Sequence, residues 1–195
     1  MKKVPTWLYR LLQPVTAVLI KLVYQPKIIN KEVIPKEGAI ILAGNHKMAF
    51  DPVLVSCGTK RTIHFMAKDV FFKGFRGFLF RSAGTLPVHV GKVHKDSFKS
   101  AIDILNQGKP IGVFPEGTRN YTQKPLLPFK RGAVTLAKET NTNIISFAIR
   151  GRYLPFHGLA IEFGEPIDVT NMELQEANQV LEEKVRELLL KSSSK

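Results

Sequence analysis

The chain has a single cysteine, Cys57, in 195 residues. A lone cysteine excludes a disulfide framework and a multi-cysteine zinc site, and it fits a reducing compartment. Acidic residues are also scarce, 16 Asp and Glu against 29 Lys and Arg, for a formal charge of +13. Such a surface attracts anions, whether nucleic acid, anionic lipid headgroups or an acidic protein, and says nothing about fold. No apolar run reaches the ~18 uninterrupted residues of a membrane-spanning helix. No small-residue cleavage site follows a compact apolar stretch, so a cleaved signal peptide is not expected. A G-x-S-x-G elbow, H-E-x-x-H and H-x-x-E-H are all missing, which removes a serine nucleophile and the common zinc motifs. Neither an internal repeat nor a long low-complexity tract is present. What remains is 44% hydrophobic, a composition and length that suit one domain with a full core. The end, 192–195, is expected to fray.

Residues 7–24 are rich in Leu, Val and Ile, with Trp7, Tyr9 and Tyr24 at the ends. Arg10, Gln13, Pro14 and Thr16 interrupt them and Lys21 closes them. The pattern predicts one or two helices, broken or kinked at Pro14, lying in a membrane interface with Lys2, Lys3, Arg10 and Lys21 toward anionic lipid. The competing reading is a helix packed on the protein's own core. Short β-branched runs then predict buried strands near 27–29, 39–43, 63–67, 84–88, 110–114, 143–149 and 159–163. Pro87 marks the fourth of these as an edge strand or a strand end. Helices are predicted from 52 to about 57, from 97 to 105 with Asp96 as cap, from 133 to 140, and from 172 to 191. Between 60 and 95, eight Lys and Arg face only Asp69 and alternate with Phe65, Phe71, Phe72, Phe75, Phe78 and Phe80. Phenylalanines at helical spacing among cations predict an amphipathic helix with a greasy face, suited to a membrane surface. Single-stranded nucleic acid is the other partner such a pattern suits.

Two loops carry chemistry. The run Asn45-His46-Lys47-Met48-Ala49-Phe50-Asp51-Pro52 leaves the end of an apolar strand, where open α/β sheets place ligands. An Asp on the same short connection as a His can accept one imidazole N–H, fix the tautomer and leave the other nitrogen as a base. Asp51 before Pro52 is also an ordinary helix start. The second loop, Pro115-Glu116-Gly117-Thr118-Arg119-Asn120, follows another apolar strand. It offers a carboxylate, a glycine that lets backbone approach a ligand, a hydroxyl and a guanidinium, the group that grips phosphate bidentately. Facing one cleft, the two loops would pair a base with a phosphate binder, and the nucleophile would come from the substrate.

Together, Asn45-His46-x-x-x-x-Asp51-Pro52 and Phe114-Pro115-Glu116-Gly117-Thr118-Arg119 resemble the glycerolipid acyltransferases of the lysophosphatidate acyltransferase type. The similarity runs from about 26 to 166. Residues 67–72 and 84–88 look like the family's middle block, and 143–149 like its last. The resemblance implies an α/β fold, a mixed and largely parallel sheet flanked by helices. With the amphipathic N-terminal pattern beside it, the chain is expected to divide into interfacial helices over 1–25 and an acyltransferase domain over 26–195. The resemblance implies acyl transfer from a thioester to the sn-2 hydroxyl of 1-acylglycerol 3-phosphate, giving phosphatidate, with no acyl-enzyme. His46 would be the general base and Asp51 its support. Lys68 and Arg119 would hold the acceptor's phosphate, Glu116 would shape the acceptor site, and Gly117, beside Thr118, would admit substrate. Two departures stand out. His89-Val90 replaces the family's Asp-Arg, leaving Lys92 or Arg81 to supply the missing cation, and Ser146 stands where a proline is usual.

The expected partners are a membrane surface, lysophosphatidate, and acyl carrier protein or a coenzyme A thioester as co-substrate, with no cofactor, no metal and no nucleic acid. The expected location is the cytoplasmic face of the cell membrane, peripheral or monotopic. Other acceptors, another lysophospholipid or glycerol 3-phosphate, stay within the same chemistry. A metal hydrolase built on His46, Asp51, His64, His89 and Glu116 and a non-enzymatic basic lipid- or nucleic-acid-binding module are the alternatives of other classes.

Overall fold

In a computed structural model, which describes residues 4–88 and 95–191, seven strands form one sheet with helices on both faces. The elements are α1 (Trp7–Tyr24), β1 (Lys27–Ile29), β2 (Ile40–Gly44), α2 (Asp51–Ser56), β3 (His64–Lys68), α3 (Gly74–Ser82), β4 (Leu86–Val88), α4 (Lys95–Asn106), β5 (Pro110–Val113), α5 (Gly132–Thr140), β6 (Ile144–Arg150), β7 (Ala160–Ile167) and α6 (Leu174–Leu190). The strand order is β1-β7-β6-β2-β5-β3-β4. Every pairing is parallel except β6 with β7. This is the expected mixed, largely parallel sheet, and Pro87 lies in the edge strand β4, opposite Ala67 of β3, the kind of strand to which proline is confined within sheets.

Central strands of a parallel sheet are covered on both sides, which is why β2 and β5 are apolar without alternation and buried throughout. Ile41 and Ala43 join one core with α4, α5 and α6, through Leu105, Leu136 and Leu181. Ile40 and Leu42 join the opposite core with α1 and α2, through Ile20, Leu54 and Val55. The chain therefore leaves the carboxyl end of β2 toward one face and that of neighbouring β5 toward the other. The two connections diverge and open a crevice between adjacent strand ends, the position where ligands bind in such sheets. Because β6, β2, β5 and β3 run parallel, their carboxyl ends share this edge.

Pro14 does not end α1, which continues as one helix to Tyr24. Tyr9, Gln13, Ile20 and Tyr24, at helical spacing, turn toward the protein. The Tyr9 hydroxyl donates to Ser56 Oγ at 2.9 Å, and Gln13 Nε2 donates to the Ser56 and Thr59 carbonyls at 3.2 and 3.3 Å. The opposite side exposes Trp7, Leu11, Leu12, Val15, Val18, Leu19, Leu22 and Val23. This helix presents most of its apolar side chains to solvent and keeps Tyr9 and Gln13 hydrogen-bonded against the protein, largely the reverse of an ordinary surface helix. Trp7 meets Phe78 of α3 with ring centroids 6.4 Å apart, which extends the apolar patch to Phe71, Phe75, Phe78 and Leu79, all exposed. Of the phenylalanines in this region, Phe65 and Phe72 are core. No described helix is long and apolar enough to cross a membrane. The expectations that fall on Lys2, Lys3, His89, Val90, Lys92, the Asp96 cap and the 192–195 tail lie outside the described residues or side chains.

Gly44 closes β2 opposite Phe147. A methyl group there would lie well inside contact distance of the Phe147 carbonyl and ring. Gly44→Ala is expected to destabilise the fold by about 2 kcal/mol or more through that overpacking, read as a lower urea midpoint with an unchanged slope.

Candidate active site

Asp51 opens α2 and is fully buried (0% exposed). It is the first residue of the helix, with Phe50 in the capping position, so it does not act as the N-cap that its place before Pro52 suggested. Its carboxylate turns back onto the preceding loop. Oδ2 accepts from His46 Nδ1 at 2.7 Å and from the backbone N–H groups of Lys47 and Met48 at 2.6 and 2.8 Å. Oδ1 accepts from the Tyr153 hydroxyl at 2.6 Å. The loop is short enough for His and Asp to meet because the two backbone donors wrap around the carboxylate. With Nδ1–H bound to Asp51, the tautomer is set and Nε2 is left as the proton acceptor.

The His46 ring is partly exposed and stacks on Phe114, with centroids 4.1 Å apart and planes at 19°. Phe114 in turn stacks on Phe65. An apolar wall on one face of the imidazole and a buried anion behind it hold the base in one orientation. Asn45, the residue before it, spans to β6: Nδ2 donates to the Ile149 carbonyl and Oδ1 accepts from the Ile149 N–H, at 3.0 and 2.7 Å. It continues the β2–β6 ladder with a side chain where the backbone leaves the sheet.

Glu116 joins the two loops. Its buried carboxylate accepts the His46 N–H at 2.7 Å through Oε1 and the Leu127 N–H at 2.9 Å through Oε2. The Asn120 N–H donates to the His46 carbonyl at 2.7 Å. Burial pushes the Glu116 carboxyl up, and the two backbone donors pull it back. Burial likewise pushes the Lys47 ammonium down, against the pull of Asp51. Lys47 Nζ donates to the Gly151 carbonyl at 2.7 Å.

Of the residues singled out in sequence, His46, Asp51 and Glu116 come together. Gly117 has φ +68°, the left-handed region, and the Lys130 side chain lies over it. Thr118 is exposed. The Arg119 guanidinium sits 5.2 Å from the centroid of Tyr121 rather than on a carboxylate. Lys68 ends β3 on the same sheet edge, half-buried. Sequence reasoning missed Tyr153, the Phe114 wall and the Asn45 clamp. The signal for Tyr153 was its place just after β6, another strand whose carboxyl end reaches this edge. His64, weighed as a metal ligand, is buried in β3 and donates from Nδ1 to the Gly84 carbonyl at 2.8 Å. Among the described residues no group of three or more His, Cys, Asp and Glu is disposed to hold a metal ion.

Comparison with known proteins gives a consistent result. The profile of the family described as Acyltransferase matches residues 25–150. The 1-acyl-sn-glycerol-3-phosphate acyltransferase of Bacillus subtilis (strain 168) is 32% identical over 127 residues, 64% of this chain and 62% of that protein. Its counterpart in Borreliella burgdorferi is 30% identical over 123 residues, 60% of this chain and 47% of that protein. The matched region thus spans about half the length of these curated relatives. The crystal structure of the 1-acyl-sn-glycerophosphate (LPA) acyltransferase PlsC from Thermotoga maritima superposes with a TM-score of 0.71 at 22% identity, covering 95% of this chain and 81% of that one. That likeness is one of fold.

Glu116→Gln keeps the shape but sets an amide NH2 against one of the two backbone N–H groups. It is expected to cost about 1–3 kcal/mol in urea unfolding. The raised Glu116 carboxyl means that the folded state binds more protons than the unfolded chain just above the ordinary Glu range. That contribution to stability therefore falls as pH rises through the window, and Glu116→Gln is expected to remove this part of the slope.

Proposed function

The chain belongs to the acyltransferase family, and from that membership we propose that it moves a fatty acyl chain from an acyl thioester to the sn-2 hydroxyl of 1-acylglycerol 3-phosphate, forming phosphatidate for phospholipid biosynthesis. The observation that carries this reading is the 2.7 Å His46–Asp51 pair on a crevice between two strand ends, a base with no serine or cysteine nucleophile on its loop. His46 Nε2 takes the proton of the acceptor hydroxyl as the oxygen attacks the thioester carbonyl. Asp51 stabilises the imidazolium that forms. The tetrahedral intermediate collapses, the C–S bond breaks, and the leaving thiolate takes the proton from His46. The reaction balances with two substrates and needs no cofactor. Lys68 and Arg119 are the cations assigned to the acceptor's phosphate, and Gly117 and Thr118 line its approach. The charge of +13 favours an acidic carrier protein or a phosphate-bearing coenzyme A thioester as donor.

The same reading puts the protein on the cytoplasmic face of the cell membrane, peripheral or monotopic. Its support is the outward apolar side of α1 joined to the exposed phenylalanines of α3, with Arg10, Lys21, Lys73 and Arg76 at hand for lipid phosphates. Lysolipid acceptors reside in the bilayer, so a greasy docking face beside the crevice suits their chemistry.

Purified protein in liposomes with a labelled acyl thioester and 1-acylglycerol 3-phosphate is expected to form phosphatidate. His46→Ala is expected to reduce turnover by about three orders of magnitude or more while binding to anionic vesicles persists. Phosphatidate formed equally by the mutant would sink the mechanism. A basic binding module would show vesicle or nucleic-acid binding and no product from either protein. Leu19→Glu with Leu22→Glu is expected to weaken vesicle binding about tenfold or more, measured by co-sedimentation, with thermal stability kept.

A further inference from the structure

Asp51 has no exposure to solvent, so protein groups must satisfy its carboxylate. A carboxylate offers about four lone-pair sites, two on each oxygen, and four protein donors serve it here. His46, Lys47 N–H and Met48 N–H serve Oδ2, and the Tyr153 hydroxyl serves Oδ1. Three of these donors belong to the same loop as Asp51, but Tyr153 comes from the connection after β6, 102 residues away. Its ring is held edge-on by Tyr24, the last residue of α1, with centroids 5.7 Å apart and planes at 82°.

We propose that Tyr153 is a positioning residue for the acyl-transfer reaction: its hydroxyl orients the Asp51 carboxylate and draws off part of its charge, and so sets how strongly His46 holds a proton. The inference deepens the function proposed above and rests on it. Burial, with the charge of Asp51 behind it, pushes the Tyr153 hydroxyl well up, so it stays protonated and donates across the working range. Loss of that donor leaves Oδ1 unpaired at a carboxylate with no solvent exposure and concentrates negative charge toward the His46 Nδ1–H. The imidazolium is then favoured, and the base is freed of its proton only at higher pH. The other titratable groups facing this cluster are Lys47 and Glu116 around Asp51, Arg152 beside Lys47, and Cys57 and Tyr24 beside Tyr153.

The test is Tyr153→Phe, which removes one oxygen and keeps the ring against Tyr24. Two readouts are taken: the pH profile of kcat/KM for acyl transfer, and the proton titration of the His46 ring by NMR, its signal identified by loss in His46→Ala. The expected result is an acid limb and a His46 titration both moved up by about half a pH unit. A kcat about tenfold lower, with KM for the acceptor held within about twofold, is expected beside it. Tyr24→Phe, which leaves the Asp51 hydrogen bond in place, is the control and is expected to move neither curve. A His46 titration unmoved in Tyr153→Phe overturns the proposal, even if the rate falls. An equal movement in Tyr24→Phe overturns it as well. If the wild-type protein transfers no acyl group, the reaction assignment fails separately, and the NMR titration still decides the role of Tyr153.

Discussion

The Asp51 carboxylate carries a charge with no access to water. An ion removed from water is tolerated only when its lone pairs are filled by good donors, since an unpaired buried charge costs several kcal/mol. That requirement shapes the whole neighbourhood. The loop from His46 to Phe50 is curled so that two backbone N–H groups reach one oxygen, the imidazole completes that oxygen, and Tyr153 reaches across from the end of β6 to the other. The constraint that keeps Asp51 buried is therefore the one that orients His46. The partial exposure of the imidazole, against the full burial of the carboxylate, leaves the base facing the crevice and its support behind it.

Sheet topology supplies the room in which this cluster works. Adjacent β2 and β5 send their following segments to opposite faces, so the loops bearing His46 and Glu116 part where the strands end. Glu116 holds the crevice to shape by taking a backbone donor from each side, and Asn45 ties the end of β2 to β6 by donating to the Ile149 carbonyl and accepting from the Ile149 N–H. Both polar side chains are buried, and both replace ladder hydrogen bonds that the backbone can no longer make once it leaves the sheet. Glu116, which in sequence looks like part of the acceptor site, thus also serves as the mortar between the two loops. Helix α1 belongs to the same construction. It is pinned through Tyr9 and Gln13 to α2, the helix that carries Asp51, and through Tyr24 to Tyr153. The side chains available for these pins are its polar ones, and this leaves its apolar side outward.

Local sequence determined a good deal. Continuous β-branched runs marked the buried strands because period and composition act within a few residues. The two polar loops after such runs, one with His and Asp and one with Glu, Gly and Arg, were legible for the same reason, and Pro87 narrowed its strand to an edge or a strand end. The apolar content of residues 7–24 was plain, and so was the excess of positive charge. Tertiary structure alone decided that β5 lies beside β2, so that Glu116 meets the His46 backbone 70 residues away. It decided that Pro14 is carried inside one helix, that Arg119 lies over Tyr121, and which side of α1 faces out. It also brought in Tyr153 and the Asn45 clamp, neither of which has a local pattern. The physical reason is one of range. Propensity and periodicity are sums over neighbours along the chain, whereas strand order and the filling of a buried carboxylate depend on groups about a hundred residues apart that meet only when the entire core packs.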